Sequence, residues 1–467
     1  MNYELKKENT MPNTTPAKPA SDFVKNAVMY QLFLRPFTLE GTLKAATRML
    51  PHIASLGVTI VYLCPQMMAD DDPRTEFWSD RQNASKLGNP YSPYRIKDYF
   101  ATDPEYGIDD DLKRFVAVAH RLGMRVMLDL VYYHCGPTAV FIENHPDFVK
   151  RNDDGTVKNG RWHFPELNFD CPELREYLWK NMEYWVRDFD VDGFRTDVEQ
   201  SVPEDFWEEG RRRIEAIKQN VVMLAESENP LATVKAYDIS YGFTWSNAIR
   251  NVFLNKMPAS HLVEKWTAMR DKMPLGTLFL RNLENHDISM DLGDGRWNMI
   301  GSPELVKAAM LLNFTIDGIP FLYNGEEIAD NSHHSIFANR YHGKNYVIDW
   351  SLALSKVGKD RLEFTKSLTS LRHNNLALQL GETKWLENDR PDAVISFLRI
   401  ASGQTVLTVV NTTDQPLTAV VKLGANASSF FWHGLLDDGS DWQFIPEEGA
   451  MKFDFLPYGY AVLEIED

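Results

Sequence analysis

Cysteine is scarce in this sequence of 467 residues, which contains only Cys64, Cys135 and Cys171. Such a small and odd number argues against a disulfide scaffold. An apolar run of the ~20 residues that a membrane-spanning helix needs is also absent from the sequence. The first residues, up to about Ala20, are rich in Asn, Thr, Lys and Pro and contain no apolar stretch of the kind found in signal peptides. We therefore expect a flexible N-terminal tail, no membrane span and a cytoplasmic location.

Positive charge is also in short supply. Lys and Arg together number 49 against 66 Asp and Glu, which gives a net charge of −17 with neutral histidines. A chain this acidic is repelled by phosphate backbones and anionic lipids, so we expect no nucleic-acid partner. The hydrophobic fraction of 44% and the charged fraction of 25% are typical of a globular protein. The length fits one large domain with a smaller one, or two to three medium domains.

Short apolar runs alternate with helical patterns from about residue 27 to residue 374. Such runs indicate buried parallel strands, and the 3.6-residue spacing between them indicates amphipathic helices. About eight βα units of this kind predict an α/β fold of the TIM-barrel type. An open doubly wound sheet is the alternative, but no Gly-rich phosphate motif follows the first strand, so we favour the barrel. The predicted strands are Met29–Phe33, Val58–Leu63, Arg125–Tyr132, Val191–Thr196, Val221–Ala225, Tyr237–Tyr241, Thr277–Arg281 and Ile319–Tyr323.

The remaining segments divide the chain further. After about Gly381, strand-like runs are separated by Gly, Asn, Asp and Pro turns, which predicts an antiparallel β-domain. The irregular polar segment after the third strand predicts a small inserted domain over the barrel mouth. The expected organisation is a tail (1–25), a barrel (26–134 and 171–378), an inserted domain (135–170) and a C-terminal β-sandwich (379–467).

Ionisable side chains follow several predicted strands at their carboxyl ends. In a TIM barrel these ends form the functional mouth, so the side chains should converge there. Gathering so many charges beside apolar strands is costly unless the groups pair or act chemically. The candidates are Asp129 and His134 after the third strand, Arg195 and Asp197 on the fourth, Glu226 after the fifth, and His286 and Asp287 after the seventh.

Two carboxyl groups on adjacent strands suit glycoside cleavage. The retaining reaction needs a nucleophile and an acid/base about 5–5.5 Å apart. Arg195 points the same way as Asp197 along its strand and can hold that carboxylate ionised through a charge-assisted pair. Glu226 must instead have a raised pKa in order to arrive protonated. We expect Asp129 to be structural, holding the backbone or Arg195.

Together these segments closely resemble the motifs of the α-amylase family of retaining α-glucan-active enzymes, and the resemblance extends from about Ala27 to the C-terminus. Asp197 lies in the second motif, Glu226 in the third and Asp287 in the fourth. The segments that carry the resemblance are Tyr94, Asp129–His134, Phe164–Asn168, Gly193–Asp197, Glu226, Asn285–Asp287 and Gly318–Gly325.

The resemblance implies an active enzyme with an α-glucan oligosaccharide or polysaccharide as its substrate. It also implies a role for each residue of the central sugar site: Asp197 as nucleophile, Glu226 as general acid/base, Asp287 on the ring hydroxyls, Arg195 beside the nucleophile, His134 and His286 as hydrogen-bond partners of the sugar, and Tyr94 as its hydrophobic floor.

Three positions depart from the family pattern. Tyr133 stands where the first motif usually has Asn, and Ser201 stands where calcium-binding members have His. The resemblance therefore implies that the common calcium site is absent, and we expect no required cofactor. Glu228 replaces an aromatic residue that usually follows the acid/base, which suggests different contacts with the leaving group.

Three functions are compatible with these residues. The leading hypothesis is hydrolysis of α-glucosidic bonds, chiefly α-1,4, in maltooligosaccharides or starch fragments. Val198, directly after the nucleophile, is a residue type found in α-1,6-acting or oligosaccharide-trimming members, and transglycosylation is a related alternative. A noncatalytic glucan-binding protein is the third, but no catalytic carboxylate is lost here.

Some further residues have both a functional and a structural interpretation. Trp78, Trp162 and Trp245 are candidate sugar platforms, although packing in the core or rim explains each equally well. We interpret the pair His333 and His334 as a solvated loop, and the run Asp70–Asp72 as a solvated turn.

Overall fold

The computed structural model describes residues 15–288, 291, 295–424 and 431–466. Eight parallel strands close into a barrel in the order β1-β10-β9-β8-β7-β6-β5-β2, numbered along the chain. The TIM-barrel prediction is therefore confirmed, and the doubly wound alternative is excluded. The barrel strands are β1 (Met29–Leu32), β2 (Ile60–Leu63), β5 (Arg125–Leu130), β6 (Gly193–Thr196), β7 (Val222–Ala225), β8 (Ile239–Ser240), β9 (Leu278–Arg281) and β10 (Ile319–Tyr323).

Each barrel strand lies within the stretch that the apolar runs predicted. All residues of β1, β2, β6, β7 and β10 are buried, because the barrel interior covers one face and the helices cover the other. Gly193 begins β6 with φ of 152°, and a Cβ there would lie 1.9 Å from the carbonyl oxygen of Val222 in the next strand. Glycine is required at this close approach of two strands.

The helices surround the barrel and have recognisable start signals. Asp109, Asp110 and Asp111 occupy the first turn of α5, and the Asp111 carboxylate accepts a hydrogen bond from the amide of Ile108. Acidic side chains at this position are stabilised by the positive end of the helix dipole. The helices are α1 (Asp22–Lys25), α2 (Leu34–Phe37), α3 (Leu43–Ser55), α4 (Asp80–Ser85), α5 (Asp109–Arg121), α6 (Pro172–Phe189), α7 (Glu204–Ile217), α8 (Ala232–Lys235), α9 (Phe243–Phe253), α10 (Ser260–Lys272), α11 (Trp297–Ile300), α12 (Pro303–Thr315), α13 (Lys356–Asn374) and α14 (Leu376–Leu380).

Two irregular connections rise from the carboxyl end of the barrel. The connection after β2, which the sequence analysis left without strands, contains α4 and the antiparallel pair β3 (Met67–Ala69) and β4 (Ile96–Thr102). Register shifts interrupt this pair, so it lacks a clean alternation of apolar and polar residues. After β5, the segment 135–170 is held by isolated bridges, one of which joins His134 to Glu166.

The C-terminal region consists of two antiparallel sheets with a shared apolar core. One sheet has the order β11-β12-β13-β18-β15 and the other β14-β17-β16. Apolar side chains of both sheets, including Leu407, Val421 and Phe453, form the core between them. The strands are β11 (Glu382–Trp385), β12 (Val394–Ala401), β13 (Gln404–Asn411), β14 (Leu417–Lys422), β15 (Phe431–Asp437), β16 (Asp441–Ile445), β17 (Ala450–Phe455) and β18 (Tyr460–Glu466).

The expected N-terminal tail needs a correction. Residues 1–14 lie outside the described residues, but the chain packs against the barrel from residue 15 onward. The amide of Ala17 donates to the carbonyl of Leu275 at 2.8 Å, and α1 follows with Val24 buried. These contacts order the second half of the predicted tail. Across the described residues, every helix is too short or too polar to cross a bilayer.

Candidate active site

Arg195 lies at the centre of the mouth and joins three carboxylates. Its side chain is completely buried on β6, and Nη1 lies 2.7 Å from Asp129 Oδ1 and 2.8 Å from Asp197 Oδ1. Its Nη2 lies 2.6 Å from Glu226 Oε1. These acids lie side by side because they are located at the carboxyl ends of the neighbouring strands β5, β6 and β7. One guanidinium therefore brings together the two carboxyl groups that the sequence singled out for chemistry.

Both oxygens of the Asp129 carboxylate are engaged by neighbouring side chains. Its Oδ1 accepts from Arg195, while Oδ2 accepts from the Tyr62 hydroxyl at 2.5 Å and from the Tyr94 hydroxyl at 3.0 Å. The carboxylate is fully buried. Its contacts are those of a structural residue that holds Arg195, as the sequence analysis expected.

A tight turn after the β6 strand brings Glu226 next to Asp197. The amide of Val198, the residue after Asp197, donates to Glu226 Oε2 at 2.8 Å. Val198 has φ of 42°, a left-handed conformation that is unfavourable for a β-branched residue. Backbone strain of this kind persists where the surrounding contacts determine it, and it is concentrated at functional sites.

Burial raises the pKa of both carboxyl groups, and Arg195 opposes the shift in each case. The pKa of Glu226 is raised well above its usual range, and that of Asp197 rises to about 7. Arg195 lowers the pKa of Asp197, which is the direction that the sequence analysis predicted, while burial raises it by more. Because each carboxylate also repels the other, the pair binds one proton readily at neutral pH, and Glu226 holds it in preference to Asp197.

Tyr94 and His286 form a stacked pair beside this cluster. Their ring centroids are 5.2 Å apart at 11°, and the Tyr94 hydroxyl lies 2.5 Å from His286 Nε2. Gln31 Nε2 lies 2.6 Å from His286 Nδ1 and donates to it, so the proton of the neutral ring sits on Nε2. Burial lowers the pKa of His286 to about 4, which keeps the ring neutral at pH 7.

Gln31 was missed by the sequence analysis. It is a polar residue inside the apolar run of β1, and it is completely buried. A lone amide in a buried strand needs a partner, and that requirement is the signal that could have identified it.

His134 presents a free acceptor. Its Nε2 lies 2.7 Å from the Tyr94 carbonyl, which can only accept, so Nε2 carries the proton and Nδ1 is bare. Nδ1 has no hydrogen-bond partner among the described residues. Burial lowers the pKa of His134 to about 4. Trp162 packs edge-on against this ring with centroids 5.4 Å apart, which leaves it a candidate sugar platform at the site.

Asp287 is the most open of the acids at the mouth. Its side chain is 48% exposed, against 10% for Asp197 and 15% for Glu226. Arg81 Nη1 lies 2.8 Å from Asp287 Oδ1, and His286 Nε2 lies 3.5 Å from Oδ2. Burial raises the pKa of Asp287, but the neighbouring His286 and Arg81 lower it by a larger amount. The net shift is therefore downward. Asp287 is therefore an anion at neutral pH. Arg81 was not predicted.

The departures from the family pattern have structural uses. The Tyr133 hydroxyl donates to Glu166 Oε1 at 2.7 Å, which ties the end of β5 to the inserted segment. Glu228 accepts from the amide and hydroxyl of Thr244 at 2.7 and 2.6 Å and so caps the first turn of α9. In this structure Glu228 is engaged by the protein itself.

Several interpretations of peripheral residues were wrong. Asp70 is buried and accepts from the amide and hydroxyl of Thr138 at 2.7 and 2.8 Å, so it does not lie in a solvated turn. His334 is buried between Asp330 and Tyr323 and does not lie in a solvated loop. Trp245 is a core residue that donates to Asn313 at 2.8 Å, which excludes it as a sugar platform.

Comparison with known proteins places these features in a family. The family model of the α-amylase catalytic domain matches residues 8–155 and 157–365, which is well over half of the chain. A cyclomaltodextrinase from Bacillus sp is 26% identical over 441 residues, covering 83% of this chain and 73% of the relative. An intracellular maltogenic amylase from Bacillus subtilis is 24% identical over 441 residues, covering 84% and 69%.

The solved structures agree on the fold. A maltogenic α-amylase from Thermotoga neapolitana superposes with a TM-score of 0.79 at 24% sequence identity, covering 94% of this chain and 99% of that one. The extent of the family match, together with these relatives, shows that this protein belongs to the α-amylase family and is a glycoside hydrolase.

Proposed function

We propose that this protein hydrolyses α-glucosidic bonds, chiefly α-1,4, in maltooligosaccharides or starch-derived glucans with retention of configuration. The observation that carries the proposal is the single guanidinium of Arg195 in contact with both Asp197 and Glu226. A retaining hydrolase needs two close carboxyl groups, one ionised as the nucleophile and one protonated as the acid. The raised pKa values of this pair allow it to hold the one proton that this state requires.

The reaction proceeds in two displacements. An oxygen of ionised Asp197 attacks the anomeric carbon while Glu226 gives its proton to the departing glycosidic oxygen, which leaves a glycosyl ester on Asp197. Glu226, now a carboxylate, takes a proton from water. That water attacks the anomeric carbon, breaks the ester and restores Asp197.

The remaining residues hold the glucosyl ring. Asp287 binds ring hydroxyls as an anion with one side open to solvent. Neutral His286 shares its Nε2 proton between the Tyr94 hydroxyl and a sugar oxygen. His134, whose buried Nδ1 has no hydrogen-bond partner among the described residues, is assigned to the same sugar by the family resemblance. The Tyr94 ring, fixed by its stacking on His286, forms the apolar floor under the sugar.

The relatives support a particular substrate size. One is named a cyclomaltodextrinase, an enzyme for cyclic α-glucans, and another a maltogenic amylase, an enzyme that produces maltose. We therefore expect maltoheptaose and β-cyclodextrin to be cleaved faster than starch. A time course of products by chromatography tests this, and the absence of any released reducing sugar would refute hydrolytic function altogether.

A second candidate is action on α-1,6 bonds or transfer of the glucosyl unit to another sugar. Val198 favours it, because this residue type directly after the nucleophile is found in α-1,6-acting or oligosaccharide-trimming members of the family, and its amide donates to Glu226 Oε2 at 2.8 Å. Parallel rates on maltotriose, panose and isomaltose distinguish the two linkages. A strong preference for maltotriose would exclude the α-1,6 reaction, and longer products in the same assay would reveal transfer.

We further propose that the enzyme needs no calcium at the common family site. The residues present do not fit the ion: Tyr133 replaces an amide ligand and its hydroxyl is bound to Glu166, while Ser201 replaces a histidine. Activity should survive dialysis against a chelator. A cytoplasmic site of action is likewise our proposal, supported by the relative named an intracellular maltogenic amylase.

A further inference from the structure

We propose that Arg81, which lies outside the family motifs, is a positioning residue of the sugar site that fixes the Asp287 carboxylate toward the substrate. The inference rests on the proposed function, because it assigns Asp287 to the ring hydroxyls. It goes further by giving that carboxylate a partner from a different βα unit, which the sequence analysis did not anticipate.

The contacts of Arg81 converge on the loop after β9. Its Nη1 donates to Asp287 Oδ1 at 2.8 Å, and its Nη2 donates to the carbonyl of His286 at 3.1 Å. Its Nε lies 3.5 Å from Oδ2 of Asp291, whose side chain is buried. The Arg81 side chain is 14% exposed, whereas that of Asp287 is 48% exposed. The guanidinium is therefore largely enclosed, and it supports a carboxylate whose other side is open. This geometry fixes the anion on one side and leaves the other free for a ligand.

The segment that carries Arg81 is itself held in place. The Ser79 hydroxyl accepts from the Gln82 amide at 3.1 Å at the start of α4, and Gln82 Nε2 donates to the Asn89 carbonyl at 2.8 Å. Asn89 Nδ2 donates to the Phe337 carbonyl at 2.7 Å, which attaches this connection to the loop after β10. These hydrogen bonds hold the helix that carries Arg81, so the fold determines the position of Arg81 relative to Asp287.

Arg81 is also the cation in direct contact with Asp287 within the described residues. His286, which faces the same carboxylate, is neutral at pH 7 because burial lowers its pKa to about 4. Arg195 acts on Asp287 through space, and its hydrogen-bonded partners are Asp129 and Asp197. Without Arg81 the carboxylate would lose both its charge-assisted hydrogen bond and its fixed direction.

The alternative is that Arg81 merely braces two loops. The two roles differ in whether the effect of Arg81 on activity requires the Asp287 carboxylate. A positioning role acts through the Asp287 carboxylate, so the effect of removing Arg81 should disappear when that carboxylate is already absent. A brace through the His286 carbonyl or the Asp291 carboxylate would cost the same in either background.

The experiment is a double-mutant cycle with Arg81→Gln and Asp287→Asn, measured as kcat/KM on α-glucosyl fluoride, whose activated leaving group keeps slow variants measurable. Arg81→Gln should lower kcat/KM by about 10²-fold, because a small misplacement of a group that orients the substrate has effects of this size. In the Asp287→Asn background it should change kcat/KM by less than about threefold. Arg81→Lys should recover part of the loss, since one ammonium replaces the Nη1 contact.

The matched control is Arg74→Gln, an arginine of the same connection that pairs with Asp72 and is 55% exposed. It should leave kcat/KM within about twofold of the wild type. An Arg81→Gln variant with wild-type kcat/KM, or one with an equal loss in both Asp287 backgrounds, would overturn the inference. A wild-type protein that hydrolyses neither the fluoride nor maltooligosaccharides would instead refute the proposed function.

Discussion

The Arg195 cluster at the mouth of the barrel and the core of the C-terminal sheets are both largely buried, but one consists of charged side chains and the other of apolar ones. The C-terminal core contains apolar side chains such as Leu407, Met451 and Phe453. The mouth places Asp129 and Arg195 at zero exposure, with two further carboxyls beside them. Apolar burial stabilises a fold directly, whereas buried charges must pair and still carry desolvation costs. The mouth is therefore organised for chemistry and the C-terminal core for stability.

The largest expected effect comes from the nucleophile. Asp197→Asn should lower kcat on maltoheptaose by about 10⁴- to 10⁶-fold, because no other group can form the glycosyl ester. Reducing-sugar release measures this. The thermal unfolding midpoint should not fall, which would show that the mouth residue is dispensable for the fold. Wild-type turnover in this variant would contradict the assignment.

The acid/base should show a smaller loss and a changed pH dependence. Glu226→Gln should lower kcat/KM by about 10²- to 10⁴-fold, since it removes proton transfer and keeps the nucleophile. In the wild type, activity should rise as Asp197 ionises near its pKa of about 7 and fall as Glu226 loses its proton at higher pH. The variant should lack the alkaline limb. An unchanged alkaline limb would mean that another group is the acid.

The opposite result is expected in the C-terminal core. Phe453 is fully buried and stacks on Phe455 with centroids 5.2 Å apart, so Phe453→Ala should cost about 3–5 kcal/mol of unfolding free energy. Chemical denaturation measures this loss. Phe431→Ala, whose ring is 81% exposed, is the matched control and should change stability by less than about 0.5 kcal/mol. At temperatures where both variants are folded, kcat should equal the wild-type value. A lower kcat in folded Phe453→Ala would contradict the claim that the C-terminal core contributes to stability and not to chemistry.

The smallest effect is a gain in stability at the mouth. The pKa of Glu226 is raised in the folded state above its unfolded value of about 4.3. Its contribution to stability is therefore fully present below about pH 4 and declines as pH rises through the folded-state pKa. Glu226→Gln removes this decline, so its denaturation midpoint should exceed that of the wild type increasingly between pH 5 and pH 8. Parallel curves at all pH values would contradict the raised pKa.

Much of the fold and of the site could be predicted because those features are encoded locally. The eight barrel strands are buried on both faces, so each appears in the sequence as a short apolar run. Asp197 and Glu226 follow such runs directly, and a barrel brings all strand ends to one rim. Local patterns were sufficient wherever position along a strand determines position in space.

What was missed depends on contacts between distant segments. Arg81 reaches Asp287 across 206 positions of sequence, and Gln31 reaches His286 across 255. Asp70 and His334 looked solvated because polar residues usually are, but the loops around them supply hydrogen-bond and ion-pair partners in Thr138 and Asp330. The rise in the pKa of Asp197 could not be predicted for the same reason, since the degree of burial follows from the assembled rim.

The proposed mechanism depends most on Asp197 being the group that bonds to the sugar. Glu226→Gln enzyme should be incubated with 5-fluoro-α-glucosyl fluoride, which forms the ester quickly and releases it slowly, and the digested protein analysed by mass spectrometry. We expect one added fluoroglucosyl unit, located on the peptide that contains Asp197. An adduct on any other residue, or direct release of product with inverted configuration at the anomeric carbon, would contradict the proposed mechanism.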